Sequence, residues 1–305
     1  MSAAPRWPAI GDLLGRELGE PVRRQRTLAV RGSGRAIWFA SAGEAGQLVV
    51  KARLGDRAYE KTQWCASRLP LLGARGYPVP AIVWHGMLDD DWHVMAQTRL
   101  PGRPLTSLSP ALLDALLPLV ELQADARIPA DDRDFGGYVT NVLFDDWDEV
   151  WTDAAGSCAA GAALCERLRS WLQPVWGLSL PPADYANNDL NLSNVLADGG
   201  QITGVVDWDE FGLGSRALDL VALAFDCAHG ANRAAADHAA AADRLLARAA
   251  SVAGRDALRC LVSYRAIAYL ATSARDGDHS HAPAIAATFS ALVDRLARDR
   301  DCWPE

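Results

Sequence analysis

Two polar loops lie close together between residues 185 and 212, in the stretch YANNDLNLSNVLADGGQITGVVDWDEFG. Asn194 follows Asp189 by five residues, and Asp207 follows Asn194 by thirteen. Between these last two, the apolar segments NVLA and ITGVVDW flank an Asp-Gly-Gly turn, which is typical of a β-hairpin. Because antiparallel pairing brings the outer ends of a hairpin side by side, we expect Asn194 and Asp207 to be neighbours.

The residue types at these positions suit phosphoryl transfer. Carboxylate and amide oxygens are ligands that Mg²⁺ accepts, so Asn194 and Asp207 could hold this ion and leave room for phosphate oxygens. Asp189, on the loop before the hairpin, could accept a proton from an incoming hydroxyl group. Kinase-type transfer divides its tasks in this way, with one Asp at the hydroxyl and an Asn and a second Asp on the metal.

The first part of the chain is rich in predicted strands. Residues 26–53 contain three short strands separated by Gly-bearing turns. A helix is predicted over residues 56–69, and we expect it to end before Pro70. Two more strands follow, in YPVPAIVWHGML and DWHVMAQTRL. The pattern therefore predicts a strand-rich unit with one helix over residues 1–98.

The second part, residues 99–305, is mainly helical by its pattern. The Pro- and Gly-containing segment LPGRPL (100–105) ends the strand pattern, and Ser109 and Pro110 then open a helix as its N-cap and first residue. Helices are predicted near residues 110–126, 161–174, 215–229, 233–252, 255–274 and 283–299. The hairpin that carries Asn194 and Asp207 is the one predicted strand region in this part.

The composition limits the partners and the compartment. Asp and Glu outnumber Lys and Arg by 38 to 30 among the 305 residues, for a net charge of −8. An acidic chain is a poor candidate for nucleic acid or an anionic membrane surface, and it suits a cationic ligand, although such a charge also simply favours solubility. We expect a cytoplasmic protein, since there is no apolar run that predicts a signal peptide or a membrane span. The six Cys form no CxxC pair, so reduced thiols are expected.

The segment NDLNLSNVLADGGQITGVVDWDEFGLGSRALDL resembles the catalytic segment of the aminoglycoside phosphotransferase family, which are small-molecule relatives of the protein kinases. That family has His-x-Asp, an Asn five residues later, and an apolar strand ending in Asp-x-Asp. Asp189, Asn194, Asp207 and Asp209 match this pattern. Asp219 matches a family Asp that braces the catalytic loop from the next helix. The sequence VVDWDE is similar to the corresponding segment of kinases that act on viomycin, capreomycin and hygromycin.

Asn187 is the main departure from the family pattern. It stands where the family usually has a His that holds the catalytic loop through hydrogen bonds. An Asn side chain also offers a donor and an acceptor, so we expect Asn187 to support the same loop.

The resemblance implies an α+β, bilobal protein-kinase-like fold, with a β-rich N-lobe at residues 1–98 and a mainly α C-lobe at residues 99–305. Lys51, at the end of the strand QLVVKA, would contact nucleotide phosphates and pair with a helix carboxylate. Glu60 is the best candidate for that partner, with Glu44 as another. The turn RGSGR, at residues 31–35, lies where the family places a phosphate-covering turn.

The implied cofactors are ATP or GTP and Mg²⁺. The segment VMAQTRLPGRPL resembles the family's inter-lobe linker, so the backbone at Ala96, Gln97 and Thr98 would bind the adenine edge. Asn194 and Asp207 would hold the metal, and Asp189 would be the catalytic residue.

The function that follows is ATP-dependent phosphorylation of a hydroxyl on a small cationic molecule. An aminoglycoside or a basic peptide antibiotic is the first hypothesis. A metabolic kinase acting on choline, homoserine or an amino sugar is an alternative, and a pseudokinase that only binds nucleotide is a third.

Acidic residues beside aromatic ones could form the wall of a cationic substrate site. The segment LFDDWDEVW (143–151) places Asp145 and Asp148 beside Trp147 and Trp151, although a solvated face between helices is the alternative. Further candidates for substrate contact are Asp209, Glu210 and Asp226. Asp209 could instead ligate a second metal or bond to backbone.

Overall fold

The computed structural model describes residues 6–31, 34–125, 128, 134–180, 183–229 and 236–298. The chain divides into two compact units. The first comprises Met1–Arg103, Leu196–Asp198 and Thr203–Asp209, and the second comprises Pro104–Val195, Gly199–Ile202 and Glu210–Glu305. The boundary predicted at residue 98 thus falls near the end of the first long segment, and most of the catalytic hairpin groups with the first unit.

The first unit is built on one antiparallel sheet. Its strands and helices are α1 (Trp7–Leu18), β1 (Arg23–Arg31), β2 (Arg35–Ala42), β3 (Gly46–Leu54), α2 (Asp56–Ala74), β4 (Ile82–Met87) and β5 (Trp92–Thr98). The strand order is β1-β2-β3-β5-β4, so β3 and β5 are central strands that pair on both sides. The five predicted strands are all present.

Strand alternation explains the core of this unit. Along β2, every second residue is buried and the others are half-buried, as expected for a sheet with one face covered. Trp38 on this buried face packs in a cluster with Val50 of β3, Trp92 of β5, and Ile10 and Leu14 of α1. Helix α1 therefore covers the sheet through the apolar side of an amphipathic sequence.

Helix α2 is longer than the sequence predicted. It continues through Pro70 to Ala74, so the prediction that Pro70 ends the helix was wrong. Proline removes one backbone hydrogen bond and strains the preceding turn. Leu69 and Leu72 lie on either side of Pro70 and are buried, and their packing offsets that local cost.

The second unit is mainly helical. Its helices are α3 (Pro110–Glu121), α4 (Phe135–Asp145), α5 (Val150–Ser157), α6 (Ala159–Leu172), α7 (Arg216–Ala228), α8 (Ala236–Ala253), α9 (Arg255–Arg275) and α10 (Ala282–Arg298). Ser109 is the N-cap of α3, as predicted, and its side chain accepts from the Leu112 N–H. Helices α4 and α5 were not predicted, since a Gly-Gly pair and a dense acidic run conceal the helical pattern there.

The described residues also contain five short strands: β6 (Arg103–Pro104), β7 (Asp184–Ala186), β8 (Val195–Asp198), β9 (Gln201–Val205) and β10 (Gly212–Gly214). β8 and β9 form the predicted hairpin, in a three-stranded sheet with the order β6-β8-β9, and β7 pairs antiparallel with β10. The pair β7 and β10 encloses the sequence that carries Asp189, so the second unit positions the loop before the hairpin.

Helices α7 and α9 form the centre of the second unit. Ten of the thirteen residues of α7 are buried, and α9 is buried along most of its middle. A helix that is apolar on all sides belongs in a core, and polar residues within it need internal partners. Within the ranges described above, none of the helices is both long and apolar enough to cross a membrane.

Candidate active site

In the first unit, Lys51 contacts two carboxylates that follow β9 in the chain. It lies on the central strand β3 and is buried. Its Nζ donates to Asp207 Oδ1 at 2.7 Å and to Asp209 Oδ1 at 3.3 Å. Asp207 has a left-handed backbone with φ of 58°. This conformation is uncommon outside Gly, although Asp tolerates it better than most residues.

Asp209 is the centre of a larger charge cluster. Besides Lys51, it accepts hydrogen bonds from the guanidinium groups of Arg35 and Arg53. Burial alone would raise the pKa of Asp209, but the charges of Lys51, Arg53 and Arg35 outweigh it and hold this pKa far below its ordinary value. Three cations on one carboxylate argue against contact between Asp209 and a cationic substrate, and the prediction of such contact remains a prediction.

Sequence reasoning missed Arg35 and Arg53. They are direct partners in the register between β2 and β3, at the end of this hairpin that lies away from its turn. Two Arg at the far ends of a predicted hairpin were a usable signal, but reading it required the register of that hairpin.

Glu60 does not join this cluster. The side chain is exposed and lines an open pocket with Leu88, Asp89 and Asp90, whereas the buried face of α2 carries Thr62 and Cys65. Glu60 lies two and five residues from these buried positions, which places it on another side of the helix. The predicted pairing of Glu60 with Lys51 is therefore absent from the structure.

Glu44 lies in the exposed turn between β2 and β3, where its backbone N–H donates to Glu20. Among the described side chains, the carboxylate partners of Lys51 are Asp207 and Asp209, which follow the hairpin. Gly32 and Ser33 of the RGSGR turn lie outside the described residues.

Ala96, Gln97 and Thr98 are the last three residues of β5. They pair with Val50, Val49 and Leu48 of β3, and β4 pairs with the other side of the strand. Much of their backbone is therefore committed to the sheet. The strand pattern ends at Thr98, so the irregular backbone of the linker begins at residue 99.

In the second unit, Asp189 lies on a loop whose preceding residues, Asn187 and Asn188, are buried. Its side chain is 39% exposed, and Oδ1 accepts from Arg265 Nη1 at 3.2 Å. The preceding residue, Asn188, has a left-handed backbone with φ of 63°, and its carbonyl accepts from Arg265 Nη2. The Asn188 side chain donates to the carbonyls of Ala186 and Glu210. Sequence reasoning missed Arg265 and Asn188.

Asn187 holds the same loop through both its backbone and its side chain. The residue is fully buried, and its Oδ1 accepts from the Asp189 N–H at 3.1 Å. Its own N–H donates to Asp219 Oδ2 at 2.9 Å. A side-chain oxygen that accepts from the backbone two residues later is a recurrent turn motif for Asn, so this residue shapes the loop without a His ring.

Asp219 lies below the loop, at the start of α7. It is fully buried, and Oδ2 also accepts from Gln123 Nε2 at 2.9 Å. Burial raises the pKa of Asp219 to about 6, against the opposing effect of the hydrogen bonds from Gln123 and Asn187. The predicted location of Asp219, beside the catalytic loop on the next helix, matches these contacts.

Asn194 and Asp226 contact the other end of the loop. Asn194 Nδ2 donates to the Asp189 carbonyl at 3.0 Å, which orients the amide so that Oδ1 is its remaining acceptor. Asp226 Oδ2 accepts from the Leu192 N–H at 2.8 Å, and burial raises its pKa. Asp226 therefore supports the loop backbone, which differs from the substrate contact predicted for it.

The donor types fit Mg²⁺. Asn194 offers an oriented amide oxygen and Asp207 a carboxylate, and Mg²⁺ commonly takes one or two protein ligands while phosphates and water supply the rest. Across the described ranges, no group of three or more His, Cys, Asp or Glu side chains is arranged to hold a metal ion. The assignment of magnesium to Asn194 and Asp207 stays a prediction.

Aromatic and acidic side chains meet elsewhere in the second unit. Trp147 is 54% exposed, and its ring centroid lies 6.0 Å from that of Tyr138. The Tyr138 hydroxyl donates to Asp148 Oδ2 at 3.3 Å. Burial, followed by the charge of Asp148 and with a contribution from Glu210, raises the pKa of Tyr138. Asp148 thus lies on this aromatic surface, and Glu210 is near enough for its charge to act on Tyr138.

Two residues of the predicted wall behave differently from this surface. Trp151 is buried, and its indole N–H donates to the Leu143 carbonyl, so it is a core residue. Asp145 is exposed at the end of α4.

A family model described as the phosphotransferase enzyme family, APH, matches residues 27–261. The chain belongs to this family. The resemblance noted in the catalytic segment is thereby confirmed, and with it the assignment as a phosphotransferase. Comparison with curated protein sequences gave no significant match.

Solved structures of other phosphotransferases share the fold of this family member. A thermostable mutant of aminoglycoside phosphotransferase APH(4)-Ia, in a ternary complex with AMP-PNP and hygromycin B, has a TM-score of 0.72 at 17% identity, over 95% of this chain and 99% of that one. Macrolide 2'-phosphotransferase MphH from Brachybacterium faecium has a TM-score of 0.56 at 18% identity, over 92% and 97%. The predicted α+β, protein-kinase-like fold is confirmed.

Proposed function

We propose that this phosphotransferase uses ATP to phosphorylate a hydroxyl group on a small cationic molecule, with an aminoglycoside or a basic peptide antibiotic as the first candidate. The observation that carries the proposal is the state of Asp189. Its carboxylate is partly exposed, while Asn187, Asn194 and Arg265 fix the loop around it through partly buried hydrogen bonds. A carboxylate held in this way is prepared to orient a hydroxyl and accept its proton.

Lys51, Asn194 and Asp207 would bind the nucleotide phosphates and their metal. Lys51 is buried and already paired with Asp207, so its ammonium group is held in place on a central strand. Mg²⁺ at Asn194 and Asp207 would neutralise charge on the transferring phosphates. The proposed backbone contact to the base is at Ala96, Gln97 and Thr98, the last residues of β5.

The surface formed by Tyr138, Trp147 and Asp148, with the charge of Glu210 acting on it, is the proposed contact for a cationic substrate. Aromatic faces attract ammonium groups, and neighbouring carboxylates add to that attraction. The APH(4)-Ia structure contains hygromycin B, which agrees with an aminoglycoside as first candidate, whereas MphH is a macrolide enzyme.

A screen for nucleotide consumption tests the proposal. The protein is incubated with Mg-ATP or Mg-GTP and one of hygromycin B, kanamycin, viomycin, a macrolide, choline or homoserine, and the product is checked for one added phosphoryl group by mass spectrometry. We expect turnover with a cationic antibiotic. Turnover with choline or homoserine alone would support the metabolic kinase instead.

Tight binding of Mg-ATP without transfer to any hydroxyl compound would support the pseudokinase alternative. The variant Asp189→Ala is the matched control with every test compound, because it removes the proposed proton acceptor and leaves Lys51 and Asp207 unchanged.

A further inference from the structure

Arg265 is a buried cation in the middle of the core helix α9. The residue is only 4% exposed, in the sequence LVSYRAIAYL, where its neighbours are almost all apolar. Taking a guanidinium out of water is costly unless hydrogen bonds and opposite charges compensate. The positions of its hydrogen-bond partners therefore indicate the role of Arg265.

The guanidinium contacts two consecutive residues of the catalytic loop. Nη1 donates to Asp189 Oδ1 at 3.2 Å, and Nη2 donates to the carbonyl of Asn188. A planar guanidinium presents these two donors in a fixed geometry, which a single ammonium group cannot reproduce. The contact thus links the carboxylate of Asp189 to a backbone group whose residue has a left-handed conformation.

The surroundings of Arg265 keep it charged and fixed. Its guanidinium carbon lies 5.2 Å from the ring centroid of Tyr269. The charge of Arg265 also acts on the carboxylates of Asp219 and Asp226, which lie under the same loop. The charge of Arg265 therefore acts on the partly exposed carboxylate of Asp189 and on the two carboxylates that brace its loop.

We propose that Arg265 is a positioning residue for phosphoryl transfer, which holds the Asp189 carboxylate in one orientation relative to the loop backbone. This inference rests on the proposed role of Asp189 as the acceptor of the hydroxyl proton. Stability alone is a weak reason for a buried ion pair, because apolar residues of similar size often replace one without loss. Catalysis gives a stronger reason, because the Asp189 carboxylate must face the substrate hydroxyl in one geometry. A displacement of this carboxylate by about 1 Å reduces the rate about a hundredfold.

The test compares Arg265→Gln and Arg265→Lys with wild-type protein, using Mg-ATP and the acceptor identified by the screen, or water where no acceptor is turned over. Each variant is first checked for folding by its melting curve and for binding of AMP-PNP. We expect kcat to fall about a hundredfold in Arg265→Gln and about tenfold in Arg265→Lys, while KM for ATP stays within about twofold. We expect the smaller loss of kcat in Arg265→Lys because Lys keeps the charge and loses only one of the two directed contacts.

Arg259→Gln is the matched control, because Arg259 lies on the same helix but stacks against Trp171, with its guanidinium carbon 5.9 Å from the ring centroid. We expect it to retain wild-type kcat. The inference is overturned if folded Arg265→Lys keeps kcat within threefold of wild type, or if kcat and nucleotide affinity fall together in proportion to the unfolded fraction. Arg265→Lys also decides the question if Arg265→Gln does not fold. Absence of turnover in the wild type would count against the proposed function, which separates the two failures.

Discussion

The charge cluster of the first unit and the catalytic loop of the second are stabilised in different ways. In the first unit, Lys51, Arg35 and Arg53 converge on Asp209, and Lys51 also binds Asp207. In the second unit, Asn187 and Asp219 hold the loop mostly through hydrogen bonds to backbone groups. Ion pairs can exchange partners when a new anion arrives, whereas a buried hydrogen-bond network keeps one geometry.

This difference matches the two tasks of a phosphotransferase. A nucleotide brings several negative charges, and the cations of the first unit can accept them while Asp209 remains the internal counter-ion. Proton transfer needs a carboxylate in a defined place before the substrate arrives, and the loop of the second unit carries Asp189, for which we propose this role. The comparison predicts that changes in the first unit affect stability and nucleotide affinity, whereas changes in the second mainly affect kcat.

The largest expected effect on stability is that of Asp209→Asn. The change leaves Lys51, Arg53 and Arg35 without their shared counter-ion, and breaking a buried pair from one side costs about 3–5 kcal/mol. We expect the free energy of unfolding to fall by about that amount in urea titrations. Asp198→Asn, in the exposed turn of the same hairpin, is the control and should change it by less than about 0.5 kcal/mol.

The next effect concerns the pH dependence of stability in the first unit. Burial, followed by the charges of His85 and Arg53, lowers the pKa of His93 to about 4. Since the unfolded chain takes up a proton near pH 6.5 and the folded chain does not, stability is fully present above pH 6.5 and is lost as the pH falls towards 4. The loss amounts to about 3 kcal/mol at the acid end.

His93→Phe should flatten this part of the curve of unfolding free energy against pH, measured from pH 7 to 4. His85→Phe is the comparison, because the pKa of His85 is lowered as well but its side chain is less buried. An unchanged slope in His93→Phe would show that another group titrates with folding.

The smallest of these effects is that of Asn187→Ala on turnover. The change removes the oxygen that accepts from the Asp189 N–H, while the backbone bond to Asp219 remains. We expect kcat to fall about tenfold, equivalent to about 1.4 kcal/mol, with little change in nucleotide affinity. Asn187→Ser keeps an oxygen acceptor and should lose less, and equal kcat in Asn187→Ala and wild type would show that the loop does not depend on this contact.

The sequence predicts the catalytic loop and its hairpin well because their residues are close together in the chain. Asp189, Asn194, Asp207 and Asp219 span 31 positions, and local turn and strand signals suffice to order them. The strands of the first unit were equally accessible, since their alternation and Gly-bearing turns are local features.

The partners that come from distant segments could not be predicted in the same way. Arg265 lies 76 residues from Asp189, and only the packing of α9 brings it there. Glu60 was chosen by its place in a helix, but the rotation of α2 directs Thr62 and Cys65 to the core instead. The position of Arg265 within the mostly apolar run LVSYRAIAYL was a usable signal, because a buried charge requires a partner.

The measurement that tests the account most directly compares Asp189→Ala and Asp189→Asn with the wild type in single-turnover phosphoryl transfer at saturating Mg-ATP. Binding of AMP-PNP is measured alongside it for each protein. The account predicts that both variants bind the nucleotide with wild-type affinity and transfer the phosphoryl group at least about a thousandfold more slowly. Transfer by either variant at close to the wild-type rate would contradict it.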